Sequence, residues 1–280
     1  MFDFIGIKPI DCLVGIIYSI NKNNDLIFNY GLSSRPPNPS ELFSDGLHHS
    51  AARIELGDLR LTKEISNRVG LSYQLETNKI NLSIDAFINQ INDFVYLKPT
   101  GTQTTVRGAF PVWEYFKTNA FLAGIDTNID YQFTELWSFN SKFSYVYGEN
   151  TEEDIPLIDI PALRLNNTLN YKLKKWNHLN VRLAHEWVGR QNRYPDYNFE
   201  TYIPTIGEYV EVDISSPPDA FQLVHLYGDM TFILNQKSNL NLMIGITNLF
   251  NTNYREYLNR LRYYADDTGR NITIQIKFNY

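Results

Sequence analysis

The sequence predicts an all-β protein, an antiparallel transmembrane β-barrel wall, and three observations carry that prediction. Its last strand, NITIQIKFNY, alternates apolar and polar residues without error. The same alternation recurs upstream. The connections between the alternating segments are short and long in strict turn.

In the final segment Ile272, Ile274, Ile276, Phe278 and Tyr280 share one face, and Asn271, Thr273, Gln275, Lys277 and Asn279 the other. A period of two is the strand signature, because successive side chains point to opposite sides of the pleat. Earlier, Ile80, Leu82, Ile84, Ala86 and Ile88 oppose Asn81, Ser83, Asp85 and Asn89. Phe121, Ala123, Ile125, Ile129, Tyr131 and Phe133 oppose Asp126, Asn128, Asp130 and Gln132. Trp137, Phe139, Phe143, Tyr145 and Tyr147 oppose Ser138, Asn140, Lys142 and Ser144. Leu163, Leu165, Leu169, Tyr171 and Leu173 oppose Arg164, Asn166, Thr168, Asn170 and Lys172, and Leu240 to Ile246 repeats the theme. Eleven strands result, centred near residues 15, 29, 67, 87, 123, 143, 168, 184, 227, 243 and 273.

Asn- and Lys-rich turns are expected at residues 21–24, 76–79, 134–136, 174–177 and 235–239. Long loops are expected at residues 33–57, 98–111, 149–161, 189–220 and 248–267. One end of the sheet therefore carries tight turns and the other all the elaboration, as in barrels with short periplasmic turns and long extracellular loops. With that orientation strand eleven runs down to Tyr280 at the periplasmic rim, and residues 1–10 fall in an extracellular loop. An odd number of strands leaves two unpaired edges in hydrocarbon, which is costly for each unsatisfied group. Residues 1–280 are thus expected to form part of a larger barrel.

Composition agrees. Tyr numbers 19 and Phe 17, and aromatics reach 14%, which favours strands. The net charge of −6 gives no footprint for nucleic acid. A single cysteine, Cys12, excludes an intrachain disulfide framework. No apolar run approaches the roughly 18 residues of a membrane helix. The start, MFDFIGIKPIDCLVG, has acids at Asp3 and Asp11 where a signal peptide needs a basic n-region and a cleavage site. A soluble β-sandwich or binding module would also alternate, and a passive porin-like barrel would share the loop pattern.

Motifs narrow these alternatives. Residues 33–73 contain Arg35, Pro36, Pro37, then Glu41, Leu42, Phe43, Ser44, Asp45, Gly46, His48, and then Glu55, Gly57, Asp58, Leu61 and Glu64. Near the end stand Asn248, Leu249, Phe250, Asn251, Tyr254, then Gly269, Arg270 and Asn271, and IPALRLNNTLNY occupies residues 160–171. In this order the motifs resemble the C-terminal part of the TonB-dependent outer-membrane receptors. The resemblance implies a 22-stranded barrel, of which eleven strands are half, in the outer membrane of a Gram-negative bacterium. It implies energised import of a scarce nutrient, a ferric-siderophore or other metal complex foremost. It also implies partners: membrane lipid, the remaining strands, a plug domain, and the TonB complex reached through an N-terminal region. Neither the plug nor the TonB-contacting motif is visible in these residues.

No nucleophile–base constellation is evident, so no enzyme is expected, nor any cofactor. The sharpest site reading is a metal-substrate contact at His48 and His49, with Asp45 and Glu55 near in sequence, because imidazole and carboxylate suit zinc or iron. The bland reading gives Asp45–Gly46 a turn-forming role. The longest loop offers Arg190, Arg193 and Tyr194 with Tyr197, Phe199, Tyr202 and Tyr209, an aromatic and cationic mouth for an anionic complex. A loop that merely packs on its neighbours is the competing account.

Overall fold

Alternating side chains give each strand a greasy and a wet face, and hydrogen bonding between neighbours aligns those faces into one wall. The computed structural model describes residues 11–173, 175–203 and 205–280. The expectation for residues 1–10 lies outside the described residues. Eleven strands form an unbroken antiparallel path: β1 (Cys12–Asn21), β2 (Asn24–Arg35), β3 (Glu64–Glu76), β4 (Ile80–Thr105), β5 (Gly108–Gln132), β6 (Trp137–Asn150), β7 (Arg164–Leu173), β8 (Leu179–Val188), β9 (Phe221–Ile233), β10 (Asn239–Thr247) and β11 (Asn271–Asn279). Among the described residues β1 and β11 are each paired on one side only, so the wall is an open, incomplete barrel. Among the described residues the one α-helix spans five residues, Pro39–Phe43, and no described helix is long and apolar enough to cross a membrane.

Register joins the apolar faces. Ile16 pairs with Phe28, Phe28 with Leu71, Leu71 with Ala86, and Ala86 with Ile125. Further round, Leu169 lies between Phe139 and Leu183, Leu183 pairs with Leu226, Leu226 with Ile246 and Ile246 with Ile272. These side chains are exposed or half-buried, Ile272 at 61% and Leu183 at 45%, and none is in a packed core, as suits lipid-facing groups. On the opposite face Asp85 pairs with Asp126, Asp126 with Ser144, and Ser144 with Arg164. Asn170–Arg182 and Asn180–Asp229 continue this polar surface.

Aromatics band the apolar face. At the short-turn end Tyr131 packs on Phe133 and Trp137 on Tyr171, both with ring centroids 4.6 Å apart. Tyr147 and Phe121 meet at the other end. Trp137 and Tyr147 are ten residues apart on β6. At a strand rise of about 3.3 Å and a tilt near 40°, that separates the bands by about 25 Å, the height of an apolar barrel belt.

One expected loop is strand instead. Residues 98–111 continue β4 and β5 into a projecting hairpin that turns at residues 106–107. The β-branched Thr100, Thr102, Thr104 and Thr105 suit a pleat, and register shifts near residues 91–94 and 99–101 bend the hairpin as it leaves the wall.

Candidate functional site

The long connections do not hang free; they pack onto the polar face of the wall at one end. Ile91 and Ala120, which face the polar side, are covered by Leu157 of the 151–163 connection. Ile160 of the same connection packs closely over Gly148, where a Cβ would stand 2.5 Å from Ile160 Cδ1. Val188, Phe221 and Leu223 form a second buried cluster, covered by Ala162 and Tyr254. Arg164 on the wall donates to Glu186 on β8 and, at 2.7 and 2.8 Å, to both carboxylate oxygens of Glu256 in the last loop. His225 Nε2 lies 3.7 Å from Glu186.

The recognisable motifs turn out to be fasteners. Asn38 caps the short helix reciprocally with Glu41: Glu41 N–H donates to Asn38 Oδ1 at 3.1 Å, and Asn38 N–H to Glu41 Oε2 at 2.8 Å. Arg35 donates to Glu41 and to Glu64, closing the 36–63 loop at both ends. Gly57 packs against the backbone of Leu42 and Phe43, where a Cβ would come within 2.6 Å. Asn248, 2% exposed, exchanges two hydrogen bonds of 2.8 Å with the Thr252 backbone, and Arg270 N–H donates to Asn251 Oδ1. These side chains shape the loops rather than present themselves to a ligand.

The residues singled out from sequence scatter. His48 is exposed beside Ser50, 3.2 Å away, and His49 lies 3.4 Å from Arg107. Asp45 and Gly46 are in a short strand, Asp45–His48, paired with Arg53–Leu56, and do not form a turn. Gly46 adopts φ 143°, a region other residues avoid. Among the described residues no three His, Cys, Asp or Glu side chains converge as metal ligands. Arg190 reaches Asp219 at 3.5 Å, whereas Arg193 reaches Glu149 at 3.3 Å and stacks over Tyr147. Tyr194 is half-buried in the same loop.

A different group does converge. A cavity of about 260 Å³ is lined by Arg53, Trp113, Asp159, Arg260, Arg262 and Tyr263, among others. Arg53 is buried, paired with Glu55 at 2.8 Å and seated over Trp113 at 4.6 Å. Arg262, 5% exposed, lies between the rings of Tyr257 and Tyr263, each 4.6 Å away, and donates to the Tyr257 carbonyl. Asp159 stands 3.7 Å from Arg262. The Asp159 side chain keeps 43% of its surface open, toward the cavity, but is walled by protein elsewhere. That burial raises its carboxyl above the ordinary range, against the opposing pull of Arg262. Burial also raises the Tyr263 phenol, whose O–H donates to the Ile214 carbonyl at 2.9 Å.

A second cavity of about 440 Å³ shares Pro111, Tyr263 and Tyr264 with the first and is lined by Thr102, Thr201, Tyr202 and Ile214. Thr102 and Thr201 hydroxyls meet at 2.7 Å, joining the projecting hairpin to the 189–220 loop. Arg260, Arg262, Tyr257, Tyr263 and Tyr264 escaped the sequence reading. The available signal was the interleaving of Arg and Tyr through residues 254–264.

A wall apolar outside, polar inside, banded by aromatics and filled at one end by packed loops is that of a large outer-membrane-type β-barrel. Residues 14–249 match the family model for the TonB dependent receptor-like β-barrel, and the chain belongs to that family. A comparison with curated proteins finds no match. Among solved structures it is similar to the copper transporter OprC, with TM-score 0.75 and 18% identity over 96% of this chain and 39% of that one. It is also similar to the siderophore receptor PirA from Acinetobacter baumannii, with TM-score 0.66 and 17% identity over 96% of this chain and 40% of that one. A mutant of the ferric enterobactin receptor PfeA from Pseudomonas aeruginosa gives TM-score 0.67 and 14% identity over 97% and 40%. The chain thus spans about two-fifths of the length of these neighbours.

Proposed function

We propose that this chain forms the C-terminal half of the barrel of an energised outer-membrane importer, acting in a Gram-negative bacterium on a scarce nutrient such as a ferric-siderophore or other metal complex. The carrying observation is the loop layer packed on the polar face of a lipid-facing wall, with cavities inside it. The long loops then face outward and the short turns face the periplasm. Family membership and neighbours that transport copper or receive siderophores support this reading. A plug, further strands and the TonB complex are the partners it requires, and no catalytic role belongs to it.

Deleting the gene should abolish accumulation of radiolabelled ferric or cupric chelates under metal limitation, in energised but not uncoupled cells. Uptake that persists unchanged in the deletion strain would overturn the importer reading. A purified chain that stays monodisperse without detergent would overturn the membrane reading.

A further inference from the structure

We propose that an uncharged polar stripe on the lipid-facing side of β6–β9, made of Ser141, Asn167, His185 and Gln222, is a pairing surface for a second copy of this chain. The pairing rests on the membrane reading and on the assignment of faces, and it is independent of what is transported.

The stripe breaks the rule that the wall keeps elsewhere. Asn167 stands two residues from Leu165 and from Leu169, and His185 two residues from Leu183 and from Trp187, so alternation puts both on the apolar face. Ser141 pairs with Asn167 and Asn167 with His185, while Gln222 pairs with Trp187. By contrast, the same face of β11 from Ile272 to Phe278 holds only Ile and Phe. Ser141 is four residues above Trp137 and Asn167 four above Tyr171, the rings of one aromatic band. At a rise of about 3.3 Å and a tilt near 40°, both lie about 10 Å inside the apolar belt.

The polar atoms satisfy one another only in part. Ser141 Oγ donates to Asn167 Oδ1 at 2.9 Å, and His185 Nε2 lies 3.2 Å from Gln222 Oε1. A neutral imidazole that donates there keeps Nδ1 as an acceptor. Among the described residues Asn167 Nδ2, Gln222 Nε2 and His185 Nδ1 have no partner. Acyl chains offer none, and an unmatched polar group in hydrocarbon is costly. Further barrel strands offer none either, because strands join a sheet at its edges and β9 is two strands in from β11.

Two features select a second copy. The stripe is uncharged and holds free donors beside a free acceptor, so it complements itself. A two-fold axis along the membrane normal also keeps every residue at its own depth. Placed between β7 and β8, that axis lays β7 of one copy over β8 of the other. Asn167 then faces the partner's His185, and His185 faces the partner's Asn167, at nearly one depth. Convex walls touch along a narrow line, and two residues adjacent in the ladder fit that line.

Cross-linking in outer membranes of cells expressing the full chain tests this, in a C12S background that leaves one introduced thiol. With a short bismaleimide, L183C beside the stripe should give a product of twice the chain's mass. Its yield should be at least tenfold that of L71C, on the same face of β3. N167L/H185L should cut the L183C product at least tenfold, with thermal unfolding at high lipid dilution unchanged or raised, since leucine suits the lipid face. Equal yields from L183C and L71C, a product of any other mass, or a yield that survives N167L/H185L overturns the proposal. So does a lowered unfolding temperature in that variant, which would show that the stripe braces its own strands. Both cysteines should also react with lipid-soluble N-pyrenylmaleimide. Failure of that reaction refutes the assignment of faces, whereas reaction without cross-linking refutes the pairing alone.

Discussion

Arg164 on β7 and Glu256 in the last loop are bound by one guanidinium nitrogen that donates to both carboxylate oxygens, 92 residues away in sequence. The same arginine holds Glu186 on β8. A single wall position thereby fixes the loop that contributes Tyr257, Arg260, Arg262 and Tyr263 to the cavities.

Removing that tie should loosen the loop without opening the wall. Both partners are about a third exposed, so solvent screens the pair, and its loss is worth about 1 to 2 kcal/mol. E256Q should raise hydrogen exchange in the 248–270 loop roughly 5- to 30-fold, with exchange in β7 and β8 unchanged. Faster exchange across the whole sheet would show that the pair supports the wall instead.

The lipid-facing assignment has a sharper test. Leu169 points to the apolar face near the middle of β7, and its neighbour Asn170 points to the polar face. L169R should cost about 2 to 4 kcal/mol in vesicle-based unfolding, the penalty of a cation near the bilayer midplane, while N170R should cost close to nothing. Equal costs would sink the assignment of faces.

The eleven strands and the two faces were legible because one rule, the period of two, operates on most wall strands and needs no knowledge of distant residues. The 98–111 hairpin was misread as loop because Pro99, Gly101 and Gly108 are punctuation in sequence but bulge and turn positions here. The site was hidden for a different reason. Arg53, Asp159 and Arg262 come from three connections and Trp113 from β5, and only the packing of those connections on the wall and on one another brings them together. The motif residues Arg35, Glu41, Gly57 and Glu64 were conspicuous because they fasten a loop, which says nothing of where a ligand would sit.

Gly57 gives that fastening a direct check. A Cβ there would lie 2.6 Å from the Leu42 carbonyl carbon and 2.8 Å from Phe43 N, and backbone cannot swing aside as a side chain can. G57A should therefore destabilise the 36–63 loop by about 1 to 3 kcal/mol, seen as earlier proteolytic nicking between residues 36 and 63. Protease resistance equal to the parent would mean the helix and the 53–56 strand separate easily.

Asp159 makes the loop layer sensitive to pH in a direction that can be worked out. Burial raises its folded-state pKa above the unfolded value, so the folded protein holds that proton more tightly. Its favourable contribution is present in full below the ordinary carboxylate range and is lost as the pH rises through the folded-state pKa. Loop packing, followed by exchange at Tyr257 and Arg262, should therefore weaken as the pH climbs from about 4 through the folded value, and then level off. D159N cannot titrate and should flatten the profile across that window. If the parent profile is already flat, either the Asp159 carboxyl is as well solvated folded as unfolded or Arg262 offsets the burial completely, and the raised pKa is refuted.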